Sequence, residues 1–237
     1  MNPLTDEQYQ ELLAAGRPLA RDGRGIKVFQ LADGRMVKIF RRRNLFTSDF
    51  FRPYADRFRQ NAESLALLGI KTVLVEKVFV CPSQKQHLVL YQSLPGRTLR
   101  EALADDDGRR ELLARFGAFF AQLHGKGVLF RSIHFGNVIV APENESFALI
   151  DIADMAFYRG PLSLAKRVRN FRHMIRYDGD RRWIEASGTE SFLRHYVDAS
   201  LLSSQKKEQF IQKLAHDVAF FRFPDSSWPR DEKESTD

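Results

Sequence analysis

The sequence predicts an α+β protein with two lobes, in which a five-stranded antiparallel sheet with one helix precedes a small, mainly helical lobe. Short apolar runs separated by turn sequences predict the sheet in residues 1–92. Longer runs with helical periodicity predict the second lobe in residues 99–224. A proline and a glycine interrupt the strand pattern between them, so we expect the hinge at residues 93–98. Residues 225–237 are polar, and we expect them to be disordered.

Each element of the first lobe has its own local signal. Thr5 as an N-cap and Gly16 beyond the end predict a short helix over Thr5–Ala15. A longer helix is expected over Ser48–Leu68, where Gly69 ends the pattern. The five strands are expected at Pro18–Arg21, Ile26–Leu31, Arg35–Phe40, Thr72–Val80 and His87–Gln92.

The second lobe is predicted from helical periodicity that one hairpin interrupts. Thr98 can cap a short helix, and the apolar residues of Arg109–Lys126 recur at helical spacing. A tight hairpin is expected from Val138–Val140 and Phe147–Ile152. Three further helices are expected at Leu162–Tyr177, Glu190–Leu201 and Gln205–Phe221.

Composition and charge narrow the class of protein. A single cysteine, Cys81, excludes an internal disulfide framework and fits a reducing compartment. No apolar run approaches the ~20 residues that span a bilayer, and the polar N-terminus does not read as a secretory signal, so we expect a cytoplasmic protein. The net charge is +7, with basic clusters at Arg41–Arg43 and Lys166–Arg176. A solvated helix face explains such clusters as well as an anionic partner does.

Two polar residues frame the expected hairpin. Asn137 ends the stretch FRSIHFGN just before the hairpin, and Asp151 lies in LIDIAD at its end. Amide and carboxylate oxygens suit Mg²⁺, which binds through few protein groups and phosphate oxygens. Earlier in the chain, Lys38 lies on the third expected strand and Glu63 on the helix that follows. Each residue alone has an ordinary structural explanation, but their fixed order favours a shared site.

The stretch FRSIHFGNVIV followed by FALIDIAD resembles the protein-kinase-like superfamily, whose loop reads H-R-D-L-x-x-x-N. It is most similar to the bacterial lipopolysaccharide core sugar kinases, the Kdo and heptose kinases. The HFGN ending is also similar to the loop of aminoglycoside and choline phosphotransferases. The chain further resembles pseudomonad proteins described as toluene tolerance or phosphotransferase-like. This resemblance covers roughly Gly16 to Tyr177 and implies a bilobal protein-kinase-like fold.

The resemblance also implies the cofactors, ATP and Mg²⁺, and a set of site residues. Lys38 would pair with the phosphates and Glu63 would hold Lys38 by an ion pair. Asn137 and Asp151 would hold the metal. The remaining nucleotide contacts would come from the turn DGRG and from the hinge, at Gly23, Gly25, Gln92 and Leu94.

The loop departs from the family at its catalytic position. Ser132 stands where kinases have the aspartate that accepts the proton of the substrate hydroxyl, and Phe130 stands where they have histidine. General-base help is worth about 10²–10⁴-fold, yet phosphoryl transfer relies mostly on positioning and charge stabilisation. His134 and Asp154 are the candidate substitute bases, although His134 fits a structural role in the loop equally well.

Two functions therefore remain open. The first is a Mg-ATP-dependent phosphotransferase acting on a sugar or glycolipid hydroxyl, such as that of the lipopolysaccharide core. The second is a catalytically impaired pseudokinase that binds nucleotide as a scaffold or regulator. Arg41–Arg43 and Lys166–Arg176 are candidates for contact with an anionic acceptor or the inner membrane face. The sequence has no helix-turn-helix spacing, zinc-ligand spacing or aromatic RNA-binding signature, so we expect no nucleic acid partner.

Overall fold

The computed structural model describes residues 1–41, 53–105, 108–143 and 146–222. Its strands are β1 Asn2–Pro3, β2 Gly16–Asp22, β3 Gly25–Leu31, β4 Met36–Arg41, β5 Lys71–Thr72, β6 Leu74–Cys81, β7 Gln86–Gln92, β8 Arg97–Thr98, β9 Val128–Phe130, β10 Val138–Val140, β11 Phe147–Leu149 and β12 Met155–Phe157. Its α-helices are α1 Asp6–Ala14, α2 Tyr54–Leu67, α3 Leu99–Ala102, α4 Arg109–Gly125, α5 Leu164–Met174, α6 Asp178–Ser187, α7 Thr189–Asp198 and α8 Ser204–Asp217. The predicted α+β class is confirmed.

The largest sheet contains the five expected strands, except that Thr72 of the expected Thr72–Val80 belongs to β5 in another sheet. Its order is β1-β6-β7-β4-β3-β2, and the five expected strands pair antiparallel with one another. A sixth strand, β1, pairs parallel with β6 at the edge, where Asn2 lies opposite Phe79. The expectation of a five-stranded sheet is wrong by this one strand, because two residues are too few to show an alternating pattern.

Alternation along β4 separates the core of this sheet from the candidate site. Val37 and Ile39 pack into a hydrophobic cluster with Phe29 of β3 and Tyr9 of α1. Because successive side chains of a strand point to opposite faces, Lys38 lies on the other face of the sheet.

The first helix begins where the sequence predicts. The Thr5 hydroxyl accepts a hydrogen bond from the backbone N–H of Gln8 at 3.2 Å, and the Gln8 side chain accepts one from the N–H of Thr5 at 3.0 Å. This reciprocal capping box satisfies two N–H groups that a helix start leaves unpaired. The longer helix α2 begins at Tyr54, and residues 48–52 of its expected range lie outside the described residues.

The predicted hairpin is present and belongs to a second sheet. Strand β10 pairs antiparallel with β11, placing Val138 opposite Leu149. The sheet order is β5-β11-β10-β8, so β11 is held on both sides. The hydroxyl of Thr72 in β5 also donates to the carbonyl oxygen of Leu149 at 2.7 Å. The strand that leads to Asp151 is therefore fixed by two neighbours.

The chain forms two compact units. The first contains Met1–Thr98 and Asn137–Met155, and the second contains Leu99–Gly136 and the chain from Ala156 onward. The hairpin thus belongs to the first unit, whereas the sequence pattern places it in the helical lobe. The expected limits of the lobes stay a prediction.

The second unit is built from α3 to α8 around aromatic side chains. The rings of Phe171 and Tyr196 meet edge to face, with centroids 4.7 Å apart. The other buried aromatic residues of this unit include Phe116, Phe120, Phe130, Phe135, Phe192, Phe210 and Phe221. Helix α6 is not predicted, because its sequence DGDRRWIEAS has too few apolar residues for a periodic pattern. Within the described ranges, no helix is long and apolar enough to cross a membrane.

Candidate active site

Lys38 is a buried cation with an acidic partner. Its Nζ donates to Oδ1 of Asp151 at 2.5 Å, and its side chain is only 5% exposed. Burial lowers the pKa of Lys38, and the charge of Asp151 opposes that shift. The ammonium group also lies 5.5 Å from the ring centroid of Phe40 and 5.7 Å from that of Phe58. The fold thus joins two residues that the sequence analysis assigned to phosphate and metal.

Asp151 has an unusual backbone at the end of the hairpin. Its φ is +53°, in the left-handed region that aspartate tolerates better than most residues. Just before it, the N–H of Ile150 donates to the carbonyl oxygen of Asn137 at 3.1 Å. One candidate metal ligand, Asn137, is therefore bonded to the residue that precedes the other, and the Asp151 side chain keeps 36% exposure.

Helix α2 holds the segment that follows Asp151. The side-chain amide of Asn61 donates to the carbonyl oxygens of Ile152 at 2.6 Å and Ala153 at 3.3 Å. One turn earlier, Arg57 makes an ion pair with Asp154 at 3.3 Å. Sequence reasoning missed both helix residues. The signal in the sequence was that Asn61, a polar residue, lies four residues before Leu65, a position on the buried face of the helix.

The expected ion pair between Glu63 and Lys38 is wrong. Glu63 accepts a hydrogen bond from Arg59 at 2.7 Å and keeps 58% of its side chain exposed. Residues two apart on a helix point about 200° apart, so the buried position of Asn61 directs Glu63 to the surface. Asp151 is the partner of Lys38 instead.

The glycine turn is organised by charged neighbours. Gly23 and Gly25 lie in and just after the β2–β3 turn. The carboxylate of Asp22 accepts from the backbone N–H of Arg24 and from Arg41, and the hydrogen bond from Arg24 is the main reason that its pKa is lowered. Arg41 of the expected basic cluster therefore pairs with Asp22 of the same sheet. Residues 42 and 43 lie outside the described residues.

The expected hinge contacts lie after β7. Gln92 donates to the carboxylate of Glu76 at 3.0 Å, and Leu94 is partly buried. Their contact with an adenine stays a prediction. The preceding residue, Tyr91, was not anticipated: burial, followed by the negative charge of Asp151, raises its pKa to about 12. It adds a neutral hydroxyl near the Asp151 carboxylate.

In the second unit, the loop histidine already has a hydrogen-bond role. Nδ1 of His134 accepts from the backbone N–H of Gly136 at 3.0 Å, and its ring packs edge-on against Tyr177 with centroids 4.9 Å apart. A neutral ring with Nδ1 as acceptor carries its proton on Nε2, which then donates rather than accepts. This arrangement favours the structural role of His134 over that of a base. Ser132 is partly buried in the same loop.

Two buried polar residues from later helices fix this loop, and neither was anticipated. Asp180 of α6 is fully buried, and its carboxylate accepts from the N–H of Phe135 at 3.0 Å and from Arg100 at 2.8 Å. Asn170 of α5 binds both backbone groups of Phe130, accepting from its N–H at 3.2 Å and donating to its carbonyl oxygen at 2.6 Å. The loop backbone is thus held at both ends by side chains.

Asn170 is the end of a directional hydrogen-bond chain. Arg167 donates to the hydroxyl of Tyr196, which therefore donates to Nδ1 of His124, leaving Nε2–H of His124 to donate to Asn170. Burial, reinforced by the charge of Arg167, lowers the pKa of His124 to about 3. Arg167 is itself fully buried. The expectation that all of Lys166–Arg176 forms a basic surface is therefore wrong at this residue.

The chain has a buried lysine on a sheet, a loop ending in asparagine and an aspartate after the hairpin, in the order typical of the protein-kinase-like fold. The chain has this fold. No protein-family model and no curated protein matches its sequence. Among solved structures it is similar to an aminoglycoside-3′-phosphotransferase of type VIII, with TM-score 0.60 and 14% identity over 91% of this chain and 98% of that one.

It is also similar to WaaP in complex with acyl carrier protein, with TM-score 0.58 and 15% identity over 90% of this chain and 89% of that one. At these identities the likeness establishes the fold alone. The expected resemblance to the protein-kinase-like superfamily is thereby confirmed at the level of the fold.

Proposed function

We propose that the chain is a kinase-like phosphotransferase that binds ATP with Mg²⁺ and phosphorylates a hydroxyl of a sugar or glycolipid. The observation that carries this proposal is the 2.5 Å contact between Lys38 and Asp151, which lie 113 residues apart. A buried ion pair is weak support for stability, because desolvation offsets the attraction between the charges. A nucleotide with its metal would bind both charges: the phosphate would bind the ammonium group of Lys38, and the metal would bind the carboxylate of Asp151.

The residues present fit a magnesium ion. The carboxylate of Asp151 already accepts a cation, the ammonium group of Lys38, and its side chain is partly exposed. Asn137, at 7% exposure, supplies the other candidate oxygen. Two protein ligands suit Mg²⁺, which keeps waters and takes phosphate oxygens for the rest. When bound, the ion neutralises charge on the phosphates.

The chain's own residues then have separate tasks. Lys38 binds phosphate oxygens, and Asp151 and Asn137 hold the metal. Ser132 has a hydroxyl that does not take up a proton at neutral pH, so the transfer proceeds without the usual carboxylate base. Arg57 holds Asp154 in an ion pair, and His134 uses Nδ1 within its own loop. We therefore expect slow turnover that depends on positioning and charge.

The acceptor class rests on resemblance and charge. The loop sequence resembles the Kdo and heptose kinases, and an aminoglycoside phosphotransferase and WaaP share the fold. Arg169 and Arg172 of α5 are exposed, and so is Arg176, two residues after its end. Guanidinium groups bind phosphate and carboxylate well. An anionic sugar, or a glycolipid at the cytoplasmic face of the inner membrane, fits this surface.

A second candidate function has its own support. Ser132 at the catalytic position and Glu63 on the exposed face of α2 are both features of a site without full catalytic machinery. A pseudokinase that binds nucleotide as a scaffold or regulator would keep Lys38 and Asp151 and lack turnover.

Calorimetric titration of ATP, with and without Mg²⁺, tests both functions. We expect Mg²⁺ to tighten ATP binding to the wild type and to have little effect on Asp151→Asn. Turnover is then measured with sugar and glycolipid acceptors. Mg²⁺-dependent binding without turnover on any acceptor supports the pseudokinase. Absence of ATP binding at millimolar concentration contradicts both.

A further inference from the structure

We infer that Asn61 is the positioning residue for the metal ligand Asp151, an inference that rests on the proposed function. Asn61 does not contact nucleotide or metal in this proposal. It holds the two peptide groups that follow Asp151 through its side-chain amide, with hydrogen bonds of 2.6 Å and 3.3 Å. It thereby sets the direction in which the Asp151 carboxylate points.

The backbone of Asp151 needs such support. A left-handed residue other than glycine is strained and persists only where its surroundings fix it, and Asp151 has a φ of +53°. On the side before Asp151, the ladder of β11 supplies that support. On the side after it, regular pairing resumes only at β12, which begins at Met155. Asn61 acts within this gap, on the carbonyl oxygens of Ile152 and Ala153.

The side chain of Asn61 is buried, and its amide donates to two backbone carbonyl oxygens. It is 6% exposed, so its amide has little access to water, and leaving a buried amide unpaired is costly. Both contacts require a donor, because carbonyl oxygens only accept. Leucine has the volume but no donor, and aspartate would turn a carboxylate toward two carbonyl oxygens.

Helix α2 contacts the segment after Asp151 through one face. Arg57 and Asn61 are four residues apart, so they lie on one face, and together they hold three consecutive residues after Asp151, at 152–154. Since Glu63 does not reach Lys38, helix α2 acts on the metal ligand rather than on the lysine. Residues that orient a metal ligand typically change metal affinity by about 10–100-fold when removed.

The test compares ATP affinity with and without Mg²⁺ in Asn61→Ala, Asn61→Leu and the wild type. We expect both variants to lose at least about tenfold of the Mg²⁺-dependent gain in affinity. Their affinity for metal-free ATP should stay within about twofold, because Lys38 is untouched. The Mg²⁺ concentration for half-maximal tightening should rise in parallel. The matched control is Ala62→Gly, which weakens α2 because glycine is a poor helix former and leaves the Asn61 amide in place.

The outcomes separate the two levels of the proposal. If Asn61→Leu kept the Mg²⁺ dependence of the wild type, the volume of the side chain would suffice to position Asp151. The inference about Asn61 would then be wrong, and the proposed function would stand. An equal loss of the Mg²⁺-dependent gain in ATP affinity in Ala62→Gly would mean that the effect comes from the stability of α2, and it would also contradict the inference about Asn61. If the wild type itself shows no Mg²⁺-dependent binding, the proposed function fails first and this inference with it.

Discussion

At Lys38, burial and pairing act on the ammonium group in opposite directions. Removal from water lowers its pKa, and the carboxylate of Asp151 favours the charged form. The two groups neutralise each other in the ligand-free chain. Under the proposed function, a nucleotide with its metal would replace this contact on both sides, because phosphate oxygens would bind the ammonium group and the metal would bind the carboxylate.

Lys38→Met separates binding from stability at this position. The variant keeps an unbranched apolar stem and removes the buried charge, while the partly exposed Asp151 regains water. We expect the free energy of unfolding to change by less than about 1 kcal/mol. ATP affinity should fall by at least about tenfold, because charge-assisted hydrogen bonds are lost. Urea unfolding and calorimetry measure the two effects, and unchanged ATP affinity would contradict the site.

Ser132→Asp tests the missing base. If the chain transfers phosphate slowly for want of a proton acceptor, restoring the carboxylate should raise turnover by about 10²-fold and leave ATP affinity unchanged. Ser132→Asn is the matched control, because it has the same size without a basic carboxylate. Equal rates for the two variants, measured by release of ADP with a phosphorylated acceptor, would contradict the base explanation.

At the level of elements, helices α4, α5 and α7 are joined by the buried chain that ends on Asn170. Neutral His124 both accepts and donates in it, and protonation would place a second cation near Arg167. Its pKa lies at about 3 in the folded chain against 6.5 for an exposed histidine. Between these values the unfolded chain binds a proton that the folded chain does not. Stability from this group is therefore present above pH 6.5 and declines as the pH falls.

We expect the free energy of unfolding to fall by up to about 1.4 kcal/mol per pH unit below pH 6.5 on account of His124. His124→Gln, which keeps a donor for Asn170, should be less stable at pH 7 but should lose less stability between pH 6.5 and pH 4.5. His216→Gln is the control, since that histidine is 87% exposed. Urea titrations across this pH range measure the slopes, and identical slopes for wild type and His124→Gln would refute the assignment.

The secondary-structure elements that could be predicted are those with capping or turn residues close by in the sequence. The Thr5 capping box and the turns of the sheet are encoded within a few residues, and both agree with the structure. Strand β1 and helix α6 were missed because pairing and packing, rather than their own patterns, stabilise them. The site followed the same division. Lys38 and Asp151, named as candidates from their order in the chain, are in contact, whereas Asp180 and Asn170 bind the loop from helices distant in sequence.

The choice of Glu63 over Asn61 shows a limit of a different kind. The two positions are separated by about 200° on a helix, so the rotation of α2 decides between them. Rotation follows from which side chains are buried, and Phe58 and Leu65 determine it in the fold. The charge of Glu63 suggested an ion pair, while the signal at Asn61 was only its position at the apolar spacing of the helix.

For the whole molecule, the chain passes between its two compact units three times, after Thr98, Gly136 and Met155. Lys38, Asp151 and Asn137 all belong to the first unit, although Asn137 directly follows the loop of the second. The candidate nucleotide and metal residues are thus carried by one unit despite their separation in sequence.

Ligand binding should accordingly stabilise the whole chain. With Mg²⁺ and ATP at about 100 times the dissociation constant, the free energy of unfolding should rise by about 2.7 kcal/mol. Mg²⁺ with Asp151→Asn should add nothing beyond metal-free ATP. Differential scanning calorimetry measures the shift, with GTP as a comparison ligand. No shift at saturating Mg²⁺ and ATP would contradict nucleotide binding to the folded state.

The two ends of the large sheet carry prolines, Pro3 in β1 and Pro18 in β2. A proline has no N–H, so each outermost strand presents a broken row of donors to an approaching chain. Strand β1 is also only two residues long, yet it covers the border of β6. Deleting the first three residues would uncover a longer, proline-free strand. Such a truncated chain should self-associate by strand addition, and light scattering at rising concentration should detect it.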